Sequence, residues 1–380
     1  MGTVVYLGPV LQDKVLQGVF MITSEHYGMW LYMLEGVGER RAQRLLEAFG
    51  SAQGVFEADI RELARIEGLG AGVVRRIQDS RDPSLLEGYA QWLRDNEAAF
   101  VSLEDASYPR LLREVPNPPY GFFVKGRMPD DTLPRVAIVG SRRCTDYGRR
   151  EAYEMARELS NHGVVVVSGL AKGIDAHAHS GALEGGRTIG VLGCGVDVVY
   201  PAENRNLFSK VEEGGCIVSI FPPGAAPLPA YFPARNRIIS GLSDAVVVVE
   251  AAIKSGTLIT VGHALDQGRE VFAVPGSVRS KLSGGTNMLI MEGAAVATSA
   301  ADILRYLGVS PVQKAIKPAI SSATPDEAVI LELLENEQTV DFQHILQQTG
   351  LDTHAANQAL TMMEIRGLVR KLPGLRYVGT

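Results

Sequence analysis

Several short apolar runs in the middle of the chain give way to loops whose residue types could hold an anion. These loops read GSRRCTDYG (140–148), SGLAKGIDAHAHSGAL (168–183), GCGVDVVYPAEN (193–204), FPARNRIISGLSD (232–244), KSGTLIT (254–260) and PGS (275–277). Nearly all are glycine-rich, and several carry Arg or Lys. Glycine lets the main chain come close to a phosphate, and the free N–H groups of a helix N-terminus point at it. Arginine adds a planar fork matched to phosphate oxygens. One such loop would mean little. Several on the same edge of a sheet indicate a crevice for a polyanion.

Other chemistries fit less well. A dinucleotide fingerprint needs G-x-G-x-x-G after the first strand and an acid about 20 residues on, whereas the first strand here ends in GSRRCTDYG. No G-x-x-x-x-G-K-[ST] loop occurs, which argues against ATP hydrolysis through a P-loop. Asp175, His177 and His179 have metal-ligand side chains. Residues two apart on a helix face away from each other, so His177 and His179 do not share an ion easily, and Asp175 with His179 reads as a helix-stabilising pair. No metal and no cofactor are expected. Cys144, Cys194 and Cys216 are too few and too scattered for a disulfide framework and read as buried thiols near strand ends.

These loops need a scaffold, and the pattern supplies one. RVAIVG, VVVVSG, TIGVLG, CIVSIF, AVVVVE and VFAVPG alternate with stretches of helical periodicity. Continuous Val/Ile runs between helices predict a parallel sheet covered on both faces, so residues 135–307 read as a doubly wound α/β domain. In such a sheet ligands sit outside the carboxyl ends of the strands, where the loops above begin. Residues 21–100 read as short helices with two glycine-centred turns, EGVGERRAQRLL (35–46) and IEGLGAGVVRRI (66–77). They are similar to the helix-hairpin-helix unit, either touching a phosphate or serving as tight connectors. Residues 101–134, with prolines at 109, 116, 118 and 119, read as an ordered linker without helix that packs on the next domain. Residues 308–324 read as a flexible linker. Residues 325–380 suggest three helices and a hairpin, a winged-helix shape, with Thr353 as N-cap of the third helix.

Composition sets the limits. A hydrophobic share of 46% and a charged share of 21% give enough for packed cores. The net charge of −6 does not advertise a nucleic-acid binder, so any such site must be local. Residues 132–240 carry 12 Lys+Arg against 10 Asp+Glu, and residues 325–380 carry 4 against 8, which places it in the middle. No apolar run approaches the roughly 18 residues of a membrane helix. The opening MGTVVYLGPVLQDKV lacks the order of a signal peptide. Residues 1–20 read as a disordered tail or as sequence ahead of a true start at Met21. A cytoplasmic protein is expected.

The loops also carry a family likeness. GSRR, SGLAKGIDAHAHSGAL, G-x-D-x-x-YPAEN, FPARNRIISGLSD, SGTLIT with the later DQGREVFAVPGS, and GGTNMLIMEGA occur in that order between about Tyr108 and Ala295. Together they resemble the signature of the DNA-processing protein A (DprA, or Smf) family. The resemblance implies an extended Rossmann-like fold, cooperative single-stranded DNA binding, homodimerisation, protection of incoming DNA and loading of the recombinase RecA during natural transformation. Carried over by position, it implies Arg142, Lys172, Arg205, Arg235 and Arg237 as DNA-gripping cations, with Asn236 between the last two. Phe232 becomes a surface for base stacking, worth roughly 1–3 kcal/mol in comparable proteins. Gly140, Ser141, Ser168, Gly169, Gly173, Ser255, Gly256 and Thr257 would contact phosphates through backbone or hydroxyl groups. The plainer alternatives are pairing of Arg235 and Arg237 with Asp244 or Glu250, and packing of Phe232 in the core or against the linker. Arg143 is expected to point elsewhere than Arg142.

Two rival functions can be weighed on the same residues. Phosphoribohydrolases of the lysine-decarboxylase-like group use a PGGxGT-x-x-E loop. The corresponding AAIKSGTLIT keeps Gly256-Thr257 but has Ile259 or Thr260 where the catalytic carboxylate belongs. A binding protein rather than an enzyme is therefore expected. A duplex-reading repressor would need cations on the third helix of the tail. THAANQALTMMEIRG offers only Arg366 in an acidic segment, so a protein-interaction or stability role is expected there.

Overall fold

The computed structural model describes residues 21–309 and 324–379, less 337, 338, 367, 373 and 375. The expected tail at 1–20 and most of the expected linker at 308–324 lie outside the described residues. The chain forms two compact units, Met1–Pro311 and Val312–Thr380.

Among the described residues the first unit opens with six helices: α1 (Ser24–Met33), α2 (Glu39–Phe49), α3 (Ala52–Glu57), α4 (Ile60–Leu63), α5 (Ala71–Asp79) and α6 (Pro83–Asp95). The two glycine turns precede α2 and α5 and are tied to each other by arginines. Arg44 donates to the Glu67 carbonyl at 2.7 Å, and Arg76, its counterpart in the second turn, donates to the Glu35 carbonyl at 3.0 Å. This exchange makes one body of the two hairpins.

Residues 101–134 differ from expectation. Strands β1 (Ala98–Ser102) and β2 (Gly121–Gly126) form an antiparallel pair, and β2 joins the main sheet against Cys216–Ser219. A four-residue helix, α7 (Arg110–Arg113), fits between Pro109 and Pro116. Pro109 stands at the N-cap, where a missing N–H costs nothing. The prolines barred a long helix but not a single turn.

The six apolar runs are all strands: β3 (Arg135–Val139), β4 (Val165–Ser168), β5 (Thr188–Val191), β6 (Cys216–Ser219), β7 (Ala245–Val248) and β8 (Glu270–Ala273). Between and after them lie α8 (Asp146–Asn161), α9 (Ile174–Gly185), α10 (Arg205–Gly214), α11 (Tyr231–Gly241), α12 (Thr257–Asp266), α13 (Gly284–Met291), β9 (Ala295–Val296) and α14 (Ala300–Leu307). Among the described residues the sheet has nine strands in the order β1-β2-β6-β5-β4-β3-β7-β8-β9, parallel from β6 to β9.

Alternation along each strand feeds two cores. Val136 and Ile138 face α8 and α9, packing on Ala152, Met155, Leu159 and Ala178. Ala137 and Val139 face the other way, toward Ile238 and Ile239 of α11 and Val261 of α12. Each fully buried Val or Ile contributes roughly 1.5–3 kcal/mol over exposure. From β3 the chain steps outward to β6, then returns to place β7 on the far side of β3. The strand order therefore reverses between β3 and β7, and the helices on either side leave the sheet on opposite faces. A crevice opens there.

The second unit holds α15 (Pro325–Asn336), β10 (Val340–Asp341), α16 (Phe342–Thr349), α17 (Thr353–Ile365), β11 (Val369–Leu372) and β12 (Arg376–Gly379). The strands form a small antiparallel sheet in the order β10-β12-β11, around a core that includes Ile330, Ile345, Leu360 and Tyr377. Three helices and a hairpin are present. Asp352, not Thr353, caps α17, its carboxylate accepting the Ala355 N–H at 2.8 Å. Both residues suit the position, and the turn geometry chooses the one before.

Candidate nucleic-acid interface

At the β3/β7 switch the loops converge on a cavity of about 390 Å³. Its walls include Gly140, Ser141 and Arg142 after β3, Phe232, Arg235 and Asn236 on α11, and Ser255, Gly256 and Thr257 after β7. A larger groove, about 760 Å³, runs between α9 and α10. Its walls carry Glu184, Glu203 and Glu213 against Lys210 alone, the wrong sign for a polyanion.

The loop after β3 is held by a buried acid. Glu250, 2% exposed at the end of the AVVVVE run, accepts the Thr145 N–H at 2.8 Å and its hydroxyl at 2.6 Å. Its own carbonyl takes the Ser141 N–H at 2.8 Å. Thr145 in turn caps α8. This fixes where Arg142 stands, exposed and with no hydrogen-bond or ion-pair partner among the described residues. Its guanidinium lies 5.0 Å from the centroid of the half-buried Phe232 ring. Such a cation–π contact is worth about 0.5–1 kcal/mol at an exposed site and orients the fork without consuming its donors. The exposed Tyr200 ring stands 5.9 Å from Phe232 and adds a second aromatic surface.

The loop after β4 is built around strain. Leu170 has φ +55°, a conformation costing of order 1–3 kcal/mol for a non-glycine residue. Its N–H donates to His179 Nε2 at 3.3 Å, and its carbonyl accepts from Asn204 at 2.9 Å. Gly173 (φ +79°) closes the loop against the turn after β3. A Cβ there would lie 2.3 Å from the Ser141 carbonyl.

His179 is fully buried and does not pair with Asp175 as expected. The Thr188 hydroxyl donates to the Val166 carbonyl at 2.7 Å, so its oxygen accepts from His179 Nδ1, 2.8 Å away. That leaves Nε2 to accept from Leu170 and defines a neutral imidazole. Burial pushes its pKa down to about 3. The unfolded chain therefore takes up this proton first. Stability from His179 is complete above about pH 6.5 and falls, by at most about 1.4 kcal/mol per pH unit, toward pH 3. Urea midpoints should drop between pH 7 and pH 5, and His179→Gln should reduce the drop. An unchanged pH dependence in the variant would refute a buried neutral histidine.

The structure places the sequence-derived site residues in three groups. Gly140, Ser141, Arg142, Phe232, Asn236, Ser255, Gly256 and Thr257 line the cavity as a set. Ser255 Oγ donates to Thr257 Oγ1 at 3.0 Å and accepts the Thr257 N–H at 3.2 Å at the start of α12. Lys172 and Arg205 are exposed farther along the rim, with Lys172 ion-paired to Glu203. Ser168, Gly169, Gly173 and Arg237 are committed elsewhere, and Arg235 lines the cavity while bonding inward.

Ser168 is fully buried and donates to the Ile138 carbonyl at 2.6 Å. Arg235, 4% exposed, uses Nη1 to bond the carbonyls of Gly169 at 2.6 Å and Val191 at 2.9 Å. Gly169 leaves the space this needs, since a Cβ there would meet Arg235 Nη1 at 1.6 Å. Burial raises the pKa of the Asp175 carboxyl, while Arg235 and the N–H groups of Ala171 and Gly169 oppose the shift. Arg235 thus lines the cavity floor while bracing β4 and β5. Arg237 faces the helical segment, ion-paired to Glu39 at 3.0 Å and donating to the Pro116 and Asn117 carbonyls. Neither arginine pairs with Asp244 or Glu250: Asp244 accepts the Arg135 N–H at 2.8 Å, and Glu250 is taken by Thr145. Sequence reasoning missed Tyr200 and the role of Glu250. An acid closing a Val run, where strand-end loops gather, was the signal available for the latter.

The fold has counterparts among known proteins. Residues 99–308 match the family model of DNA recombination-mediator protein A, residues 314–374 that of the DprA winged helix domain, and residues 31–81 that of a SAM-like helix-hairpin-helix tandem. Protein Smf of Synechocystis is 34% identical over 94% of this chain and 99% of its own length. The X-ray structure of DNA processing protein A from Streptococcus pneumoniae superposes with a TM-score of 0.65 at 36% identity, over 75% of this chain and 98% of that one. A structure of DNA processing protein A from Helicobacter pylori, described for its single-stranded DNA binding mode, gives 0.50 at 31% identity, over 55% and 95%.

Proposed function

The chain belongs to the DNA recombination-mediator protein A family, and from that premise we propose that it binds single-stranded DNA in the β3/β7 crevice and delivers it to RecA. The observation that carries the reading is Arg142, an unpaired guanidinium stacked on Phe232 at a cavity whose one carboxylate, Asp175, is already countered from within. An extended strand can offer that pair a phosphate and a base face together. A duplex keeps its base faces stacked inside.

The winged helix is not the reader in this scheme. Arg366 is ion-paired at 3.1 Å to Glu327, which is 2% exposed, and so serves the unit's own packing. A stability or protein-contact role suits it better. Homodimerisation, protection of incoming DNA and a cytoplasmic setting complete the proposal. No helix among the described residues is long and apolar enough to cross a membrane.

Titration of matched single- and double-stranded oligonucleotides tests the reading. Tighter binding of the single strand, weakening steeply with salt, is expected. Equal affinity for both forms would overturn it. Recombinase filament assembly on coated single strands, with and without the protein, tests delivery.

A further inference from the structure

We propose a second contact surface for single-stranded DNA, beside the crevice on its β7–β8 side, formed by Lys254, Arg279 and Lys281 with the apolar Ile253 and Val278. It rests on the single-strand reading above and extends the strand's path beyond the cavity.

Three observations support it. The first is continuity. Lys254 immediately precedes Ser255, Gly256 and Thr257 of the cavity wall. The loop carrying Arg279 and Lys281 follows β8 at the same edge of the sheet and is bonded to the loop after β7. Ala251 N–H donates to the Leu282 carbonyl at 2.7 Å, and Gly285 N–H to the Ala251 carbonyl at 2.8 Å.

The second is charge. Residues 251–265 and 271–291 contain no Asp or Glu. Lys254, Arg279 and Lys281 are exposed, and none of their side chains has an ion-pair or hydrogen-bond partner among the described residues. Several other surface cations are tied down, as Lys172 is to Glu203, Arg237 to Glu39 and Arg149 to Asp146. Three cations left free at one rim suit a polyanion.

The third is the built loop that holds apolar side chains out of the core. Asn287 clamps Gly276 through two hydrogen bonds, at 3.2 and 3.0 Å, and Tyr147 donates to the Pro275 carbonyl at 3.0 Å. Val278 is nevertheless 93% exposed, and Ile253, beside Gly284, is 60% exposed. Apolar side chains among free cations suit the alternation of base and phosphate along a single strand better than they suit a purely ionic partner.

The test compares the wild-type protein with a Lys254→Ala/Arg279→Ala/Lys281→Ala variant. The probes are oligothymidines of about 5 and about 25 nucleotides, one near the short end of the roughly 4–16 nucleotides that a single-strand site covers and one beyond its long end. Loss of the surface should weaken binding of the long strand about tenfold or more and make its log–log salt slope shallower by about 2, as expected for three phosphates at ~0.7 each. Binding of the short strand should not change, whereas Arg142→Ala should weaken both. A long strand held equally well by wild type and triple variant would overturn the inference and leave the crevice reading standing. Failure of the wild type to hold either strand would bring down both. A change of oligomeric state in the variant, read by sedimentation equilibrium, would assign the surface to self-association and also overturn the inference.

Discussion

Arg142→Ala is expected to lower affinity for single-stranded DNA about tenfold to a hundredfold while leaving the fold intact. Hydrogen bonds to a charged group contribute about 1.5–3 kcal/mol, and each 1.4 kcal/mol is a factor of ten in affinity. The side chain is exposed and its turn is fixed through Glu250, Thr145 and Ser141, so truncation removes a ligand contact without removing a support. Arg142→Lys should recover only part of the affinity, because an ammonium keeps the charge but loses the planar fork and much of the stacking on Phe232. Fluorescence anisotropy of a labelled single strand, with thermal melts as control, gives the result. Unchanged affinity in the alanine variant would remove the crevice from the DNA path.

Arg235→Ala should act on a different quantity. Its guanidinium bonds two backbone carbonyls at the ends of β4 and β5 and opposes the buried charge of Asp175. Removing one side of a buried charged arrangement costs about 3–5 kcal/mol, because the other side stays desolvated without compensation. Gly169→Ala should be harmful for a steric reason, its methyl falling on the same guanidinium. Urea unfolding is the measurement. An Arg235→Ala protein within about 1 kcal/mol of wild type, yet defective on DNA, would return Arg235 to the role of a direct phosphate contact. Arginines 142 and 235 thus lie in one cavity and should fail in two different ways.

That contrast shows how far the residues alone could be read. Both arginines sit in motifs of equal weight, GSRR and FPARNR. A guanidinium that grips a phosphate and one that braces two strands have the same composition and spacing. Arg237 makes the point again, since its partner Glu39 lies nearly two hundred positions away in the hairpin segment. The strands β1 and β2 were hidden for a related reason. AAFVS and GFFVKG are short and set among prolines and turn residues, and an antiparallel extension of a parallel sheet leaves no periodic mark of its own.

Local chemistry by itself determined the six central strands, the helices between them, the glycine-rich ends and the presence of a winged helix, because periodicity, chain stiffness and turn preference act over a few residues. The tertiary structure decided which polar groups face the crevice and which are spent holding it open. Only packing determines the partners a charged side chain finds before solvent or ligand reaches it, and those partners come from strands far apart in the chain.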